Sequence, residues 1–415
     1  MMFVFLIGFV FAIDFQETKR WRSETKLLSV HQEGHVTSYL CSWYVSQCRI
    51  DRISHQSIRF KFLVPRKQAG YHAVWILTRS PEHNPNSGPT QTPETTRTVE
   101  RRKLGESGLS ISQIALGTWA MGGTVEDWGN VDDRESIAAI HQAIDLGVNL
   151  IDTAPIYGFG HGEEIVGKAI HGRRHEVLVA TQCGLLFPRS RDQLPPRCLS
   201  RESVFRECEQ SLRRLRVDVI DLYQCSLPDP NTPIRETMDA LTTLLHQQKI
   251  RAIGVSNFSC EEIAAAREFA PVHSLQLPFS MLQRRAADDL LPYCAEHRMA
   301  ALAYGPLARG LLTGKFQPLD RPVGIRARDP DFLGGRFRRN LCVVDGLKVI
   351  AAEYGKTVTQ LVMNWTAATP GVTALIVGAK RPSQVIENVG GVGWTITSQD
   401  RARIDRLLEG TELDS

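Results

Sequence analysis

At 415 residues and 42% hydrophobic, the chain is long enough to bury a large core and to hold one to three domains. Its net charge of +4 is local: residues 1–98 carry 12 basic and 7 acidic side chains, which leaves the remainder near neutral and excludes a nucleic-acid face there. Nine scattered cysteines, without C-x-x-C pairs or histidine clusters, exclude a disulfide framework and a zinc site and point to a reducing, cytoplasmic compartment.

Taken in order, Phe3 to Ile13 is an apolar run too short for a membrane span, which needs about 20 residues. Its length suits a secretory signal, but no Lys or Arg precedes it and no clean small-x-small cleavage site follows. Residues 17–98 lack helical or strand periodicity and end in Ser80-Pro-Glu-His-Asn-Pro-Asn-Ser-Gly-Pro89. The whole of 1–98 therefore reads as a disordered extension, or as a start site placed too far upstream, ahead of one domain at 99–415.

From Lys103 the pattern changes to alternating apolar strands and amphipathic helices. Lys103-Leu104 and Ile111 to Ala115, joined through Gly-Glu-Ser-Gly, predict a hairpin, and Gly117-Thr118-Trp119 a first strand-to-helix loop. Asp132 or Asp133 is placed to cap a helix with Ile137, Ile140 and Ile144 on one face. Strands follow at Val148–Ile151, Val177–Thr181, Val217–Tyr223, Ile250–Val255, Ser274–Leu277, Ala300–Tyr304 and Ala374–Val377. Ser259 with Glu261-Glu262 starts one intervening helix, and Thr357-Val-Thr-Gln360 is a capping box for another. Parallel strands alternating with helices about eight times predict an α/β fold, a (β/α)8 TIM barrel with its chemistry after the strands.

The most informative stretch is 147–168, Gly-Val-Asn-Leu-Ile-Asp-Thr-Ala-Pro-Ile-Tyr-Gly-Phe-Gly-His-Gly-Glu-Glu-Ile-Val-Gly-Lys. Asp152 stands at the end of a strand buried on both faces, and Tyr157 follows in a Gly-rich loop before a helix. Gly158-Phe-Gly160-His-Gly162 is not a dinucleotide fingerprint: its third glycine is one residue early, and no suitable acid follows. The stretch closely resembles the aldo-keto reductase signature, and the resemblance runs from about Arg102 to the C-terminus. It implies an NADPH-dependent oxidoreductase acting on a small-molecule carbonyl, an aldehyde or ketone, with no nucleic-acid partner and no membrane span. In that family the hairpin plugs the bottom of the barrel.

The resemblance also implies a cofactor site. Gly254-Val-Ser-Asn-Phe258 carries Ser256 and Asn257, which with Gln276 would hold the nicotinamide carboxamide. Phe279 would stack on the nicotinamide ring in place of the usual tyrosine. Thr118 and Trp119 of the first loop belong to the same set. Tyr304-Gly305-Pro306-Leu307-Ala-Arg-Gly310-Leu-Leu-Thr-Gly-Lys315 looks like the pyrophosphate loop, with glycines for close backbone approach and Lys315 for charge. Gly378-Ala-Lys380-Arg381-Pro-Ser-Gln384-Val-Ile-Glu387-Asn388 resembles the adenosine and 2′-phosphate segment, its cations at a helix N-terminus, which favours NADPH over NADH.

Of the family's four catalytic residues, Asp152 and Tyr157 are present. The usual lysine is replaced by Gln182, in Val-Ala-Thr-Gln-Cys-Gly, and the usual histidine by Ser226, in Tyr-Gln-Cys-Ser-Leu-Pro-Asp. Removing a cation about 4 Å from a phenol at an effective dielectric of about 20 withdraws up to about 4 kcal/mol, or about three pKa units, of support for the tyrosinate. Gln182 has an amide to offer Asp152 but no charge, and Ser226 is too short to reach where an imidazole would. His161 is a weak substitute for the histidine, more simply read as a solvated loop residue. Alternation turns Cys183 and Cys225 toward the helices if Gln182 and Ser226 face the barrel interior. Trp119 and Trp128 are expected at the mouth, as pocket walls or as rim packing. The expected protein is thus a reductase with a degenerate tetrad and attenuated activity, or, from a different class, an inactive NADP-binding sensor or scaffold.

Overall fold

The structure, a computed structural model, describes residues 99–122, 128, 131–188 and 193–409, and the backbone of several strands within 2–79. The chain divides into two units, Met1–Glu94 and Thr95–Ser415. In the first, Met2–Leu6 pairs with Phe9–Ile13, Lys26–Gln32 with His35–Cys41, and Cys48–Ser54, Ser57–Pro65 and Tyr71–Arg79 in sequence, all antiparallel. The Ser80–Pro89 stretch read as linker lies outside the described residues.

In the second unit eight strands close a parallel barrel: β1 (Ile114–Gly117), β2 (Leu150–Asp152), β3 (Leu178–Cys183), β4 (Ile220–Cys225), β5 (Ile250–Ser256), β6 (Ser274–Pro278), β7 (Ala300–Tyr304) and β8 (Val372–Gly378), with β1 pairing β8. No helix among the described residues is long and apolar enough to cross a membrane. The hairpin, Arg101–Lys103 with Ser110–Ser112, is shorter than expected, because Ile114 and Ala115 belong to β1. Three apolar side chains of this segment, Leu104, Leu109 and Ile111, join Ala115, Leu150, Ala180, Leu222, Ala252 and Leu302 in a core inside the barrel. The hairpin thus plugs the bottom, and the side chains above it are left to the site.

Eight helices are labelled here in chain order: α1 (Asp133–Asp145), α2 (His161–Ala169), α3 (Arg201–Leu215), α4 (Ile234–His246), α5 (Cys260–Arg267), α6 (Gly334–Glu353), α7 (Val358–Ala367) and α8 (Pro382–Val389). Their apolar stripes and the outward strand residues make a second, larger core. Asp132 caps α1 through the Arg134 N–H, and Ser259/Glu262 and Thr357/Gln360 form complete capping boxes on α5 and α7. Several strands run a residue or more beyond their expected ends, so that Asp152, Gln182 and Ser256 are themselves strand residues.

Candidate active site

Period 2 decides which residues meet at the top of the barrel. Ala180, Leu222 and Ala252 face inward, so Gln182, Gln224 and Gly254, two positions on and in register across β3, β4 and β5, face inward above them. Gly254 is needed there: a Cβ at that position would lie 2.5 Å from Ser274 Oγ and 2.9 Å from Gln224 Cγ. The opposite parity sends Cys183, Cys225 and Tyr223 into the helix-facing core, as the alternation predicts.

The polar layer is a chain of hydrogen bonds. Ser226 Oγ donates to Gln182 Oε1 (2.8 Å), Gln182 Nε2 to Gln276 Oε1 (3.1 Å), and Gln276 Nε2 to Asp152 Oδ2 (2.8 Å). Gln224 Nε2 adds a longer bond to the same Asp152 oxygen, 3.4 Å. This corrects the expectation that Gln182 would donate to Asp152: its amide stops one link short, and Gln276 and Gln224 supply the donors. Gln276, assigned by resemblance to a carboxamide, has its amide engaged at both ends within the chain.

The electrostatics follow from burial. Asp152 is 2% exposed, and no cation among the described residues pairs with it, so desolvation pushes its carboxyl up to about 7 against the two amide bonds. Burial, then the nearby Asp152 and Tyr304, push the Tyr157 hydroxyl well above the ordinary phenol value, while a bond with Gln182 opposes them. The phenol is therefore a proton donor across the whole neutral range.

Tyr157 is held from two sides. The loop after β1 begins with Thr118, fully buried, whose N–H and Oγ1 both donate to the Asp152 carbonyl at 3.0 Å. A single turn, Trp119–Gly122, follows, and the Trp119 ring stacks on Tyr157 with centroids 6.3 Å apart and meets Trp128 edge-on at 5.2 Å. A Cβ on Gly158 would lie 1.7 Å from the Gly122 carbonyl oxygen, and one on Gly122 would lie 2.5 Å from that of Tyr157. Backbone thus touches backbone between the two loops.

Other expected residues fall as follows. Asn257, at φ 60°, donates to the Ser226 carbonyl and to Ser256 Oγ, both at 3.0 Å, and accepts from the Tyr304 hydroxyl at 2.9 Å. Phe279 needs correction: it is 1% exposed and stacks on Trp365 of α7, sharing the outward parity of Leu275 and Leu277. The inward aromatic is Tyr304, packed on the barrel-interior core. His161 is tied to Asp133 at 2.9 Å, away from the polar layer.

The rim after β7 and β8 concentrates positive charge. Gly305 and Gly310 have positive φ (71° and 89°), Pro306 is buried, and Leu307 packs half-buried against the outer core. After β8 come exposed Gly378 and, in the last turn of α8, buried Asn388, its amide facing the Gly378 carbonyl at 3.5 Å. Gln384 accepts from the Lys380 N–H at 2.8 Å, and Glu387 lies half-buried one turn on. Desolvation and repulsion from Arg326, Lys380 and Arg381 bring the Lys315 ammonium down to about 8. Lys380 donates through Nζ to the Trp128 carbonyl at 2.9 Å, and Arg326 lies 5.1 Å over the Trp128 ring. Lys315 and Arg326, with Lys380 and Arg381 at the N-terminus of α8, make a basic cluster that suits a phosphate dianion. Arg326 sits on a 3-10 turn without any motif, and Gln224 was missed although it lies two residues before Ser226 on the same inward parity.

The site is thus a barrel mouth that joins a tyrosine proton donor to an anion cradle. The profile of the aldo/keto reductase family matches residues 113–409, and the chain belongs to that family, whose members use nicotinamide cofactors. It is 42% identical to aldo-keto reductase YhdN of Bacillus subtilis over 321 residues, 76% of this chain and 96% of that protein. It is 33% identical to the NADH-specific methylglyoxal reductase of Escherichia coli, over 76% of this chain and all of that one. Among solved structures, glycerol dehydrogenase AKR11B4 of Gluconobacter oxydans superposes with a TM-score of 0.69 at 38% identity, covering 76% of this chain and 95% of that one. A probable voltage-gated potassium channel subunit beta of Arabidopsis thaliana is 32% identical, over 71% of this chain and 91% of that protein.

Proposed function

We propose that the protein is an NADPH-dependent reductase of an aldehyde or ketone whose rate is attenuated by the amide-for-lysine and hydroxyl-for-histidine replacements. The observation that carries the reading is Tyr157, a half-buried tyrosine stacked on Trp119 with its hydroxyl held well above the ordinary phenol value by desolvation, at the same barrel mouth as the rim of Lys315, Arg326, Lys380 and Arg381. The rim cations would hold the cofactor phosphates, Lys380 and Arg381 with the N-terminus of α8 favouring the 2′-phosphate and so NADPH. Reduced nicotinamide, when bound, supplies a hydride to the carbonyl carbon.

Tyr157 gives its hydroxyl proton to the carbonyl oxygen and regains one from solvent. Gln182 orients that hydroxyl but cannot stabilise the tyrosinate left behind. Asp152 opposes the tyrosinate whenever it is ionised. Reduction, which needs a neutral tyrosine, therefore survives better than alcohol oxidation, which needs a tyrosinate base. A cytoplasmic location belongs to the same reading.

One observation favours a second reading, a catalytically inactive NADP-binding sensor or scaffold. Both substituted side chains satisfy each other, Ser226 to Gln182, as a settled structural pair would. Single-turnover oxidation of bound NADPH by a nitrobenzaldehyde, followed by the near-ultraviolet absorbance of the reduced nicotinamide, separates the two. Hydride transfer that rises sharply in Gln182→Lys/Ser226→His is expected of the attenuated reductase. Tight binding without transfer, even after that repair, would assign the chain to the second reading.

A further inference from the structure

Nine large hydrophobic side chains are exposed among the described residues, and the three aromatic ones, Trp119 (42%), Phe159 (44%) and Phe187 (43%), lie on the consecutive loops after β1, β2 and β3. Phe159 and Phe187 meet edge to face, centroids 5.4 Å apart at 83°. Phe159 also has φ 57°, the left-handed region that a bulky residue occupies only under constraint, between Gly158 and Gly160 at φ 65° and 97°. The constraint is visible: Gly158 is pinned against the Gly122 carbonyl, and a Cβ on Gly160 would lie 2.6 Å from Arg214 Cδ. Strain that holds an apolar ring in water contributes nothing to burial, so it calls for an occupant of the ring's free face.

We infer that Phe159 and Phe187 form a specificity rim for the apolar tail of the substrate, selecting aryl or extended alkyl aldehydes over small polar ones. This rests on the reductase reading. Phe159 stands two residues after Tyr157, whose hydroxyl meets the carbonyl oxygen. Trp119, stacked on Tyr157, continues the aromatic surface from the reacting end. Aromatic faces and edges suit a phenyl ring or methylene chain, whereas a compact polar carbonyl reaches Tyr157 without touching either phenylalanine.

The test compares 3-phenylpropanal with methylglyoxal on the full-length chain, in wild type, Phe159→Ala and Phe187→Ala. Binding of unreactive 4-nitrobenzamide to the NADPH complex is measured alongside by quenching of tryptophan fluorescence. The expected result is a wild-type preference for phenylpropanal that falls about tenfold or more in either variant, mainly through KM, with methylglyoxal moved by less than about threefold. Equal losses on both aldehydes would make the pair structural and overturn the inference, as would turnover without preference, which leaves the reductase reading intact. No turnover, with nitrobenzamide bound and lost in both variants, would keep the rim and remove the reductase. A changed sedimentation coefficient with selectivity unmoved would give the rim to a second copy of the chain, and overturn the inference.

Discussion

The polar layer on β2, β3, β4 and β6 and the cationic rim after β7 and β8 sit at the same end of one barrel and have opposite electrostatics. In the layer, three glutamines and a serine surround a buried carboxyl with neutral dipoles, and it responds by holding its proton up to about 7. At the rim, burial and then the charges of Arg326, Lys380 and Arg381 bring Lys315 down to about 8. On the proposed reading, the rim supplies the charge that would attract a nucleotide, while the layer offers Tyr157 amides and a hydroxyl in place of a cation. That reading makes binding and chemistry separable, because the residues proposed for each lie on different strands.

The largest expected effect that sharpens this contrast concerns stability. Asp152 titrates near 7 when folded and near 3.8 when unfolded, so between those values the folded state binds the extra proton. Its contribution is fully present below about pH 3.8 and lost as pH rises through 7, a penalty on the order of 4 kcal/mol above neutrality. Asp152→Asn is expected to raise the unfolding free energy at pH 8 by up to that amount and to lose the advantage toward pH 4, measured by denaturant titration. Glu207, held up to about 7 by burial, leaves a residual slope in both proteins. A pH-independent difference would mean that Asp152 is ionised and paired after all.

Next in size, Lys380→Ala is expected to weaken NADPH by about 10-fold to 100-fold, NADH by much less, since one charge-assisted bond is worth about 1.5–3 kcal/mol. Equal losses on the two cofactors, read by fluorescence titration, would detach Lys380 from the 2′-phosphate. Smallest is Ser226→Ala, which removes one bond to Gln182 and is expected to slow single-turnover reduction by no more than about tenfold, with NADPH affinity unmoved. A much larger loss would give the hydroxyl a part in the chemistry.

The barrel was legible because eight apolar runs alternate with capped helices, and Asp152, Gln182 and Ser226 fall where their strands end. Two of the misreadings share one physical source, the parity of residues at strand ends. Counting by two from Gln276 puts Phe279 outward with Leu277, against Trp365, and counting by two back from Ser226 brings Gln224 inward. Resemblance fixed the positions; alternation fixes the directions. Arg326 was beyond both, because it reaches Trp128 across 198 positions of chain from a turn without a motif.

The contact between Gly122 and Gly158 also limits how this mouth can be rebuilt. With carbonyl against Cα and no side chain between them, the turn Trp119–Gly122 abuts the backbone at Tyr157 and Gly158, and the Trp119 ring stacks on Tyr157 beside that contact. Grafting either loop alone from a relative with a larger residue at one of these positions would drive one backbone into the other. Chimeras that aim to change what enters this barrel must exchange the two loops together.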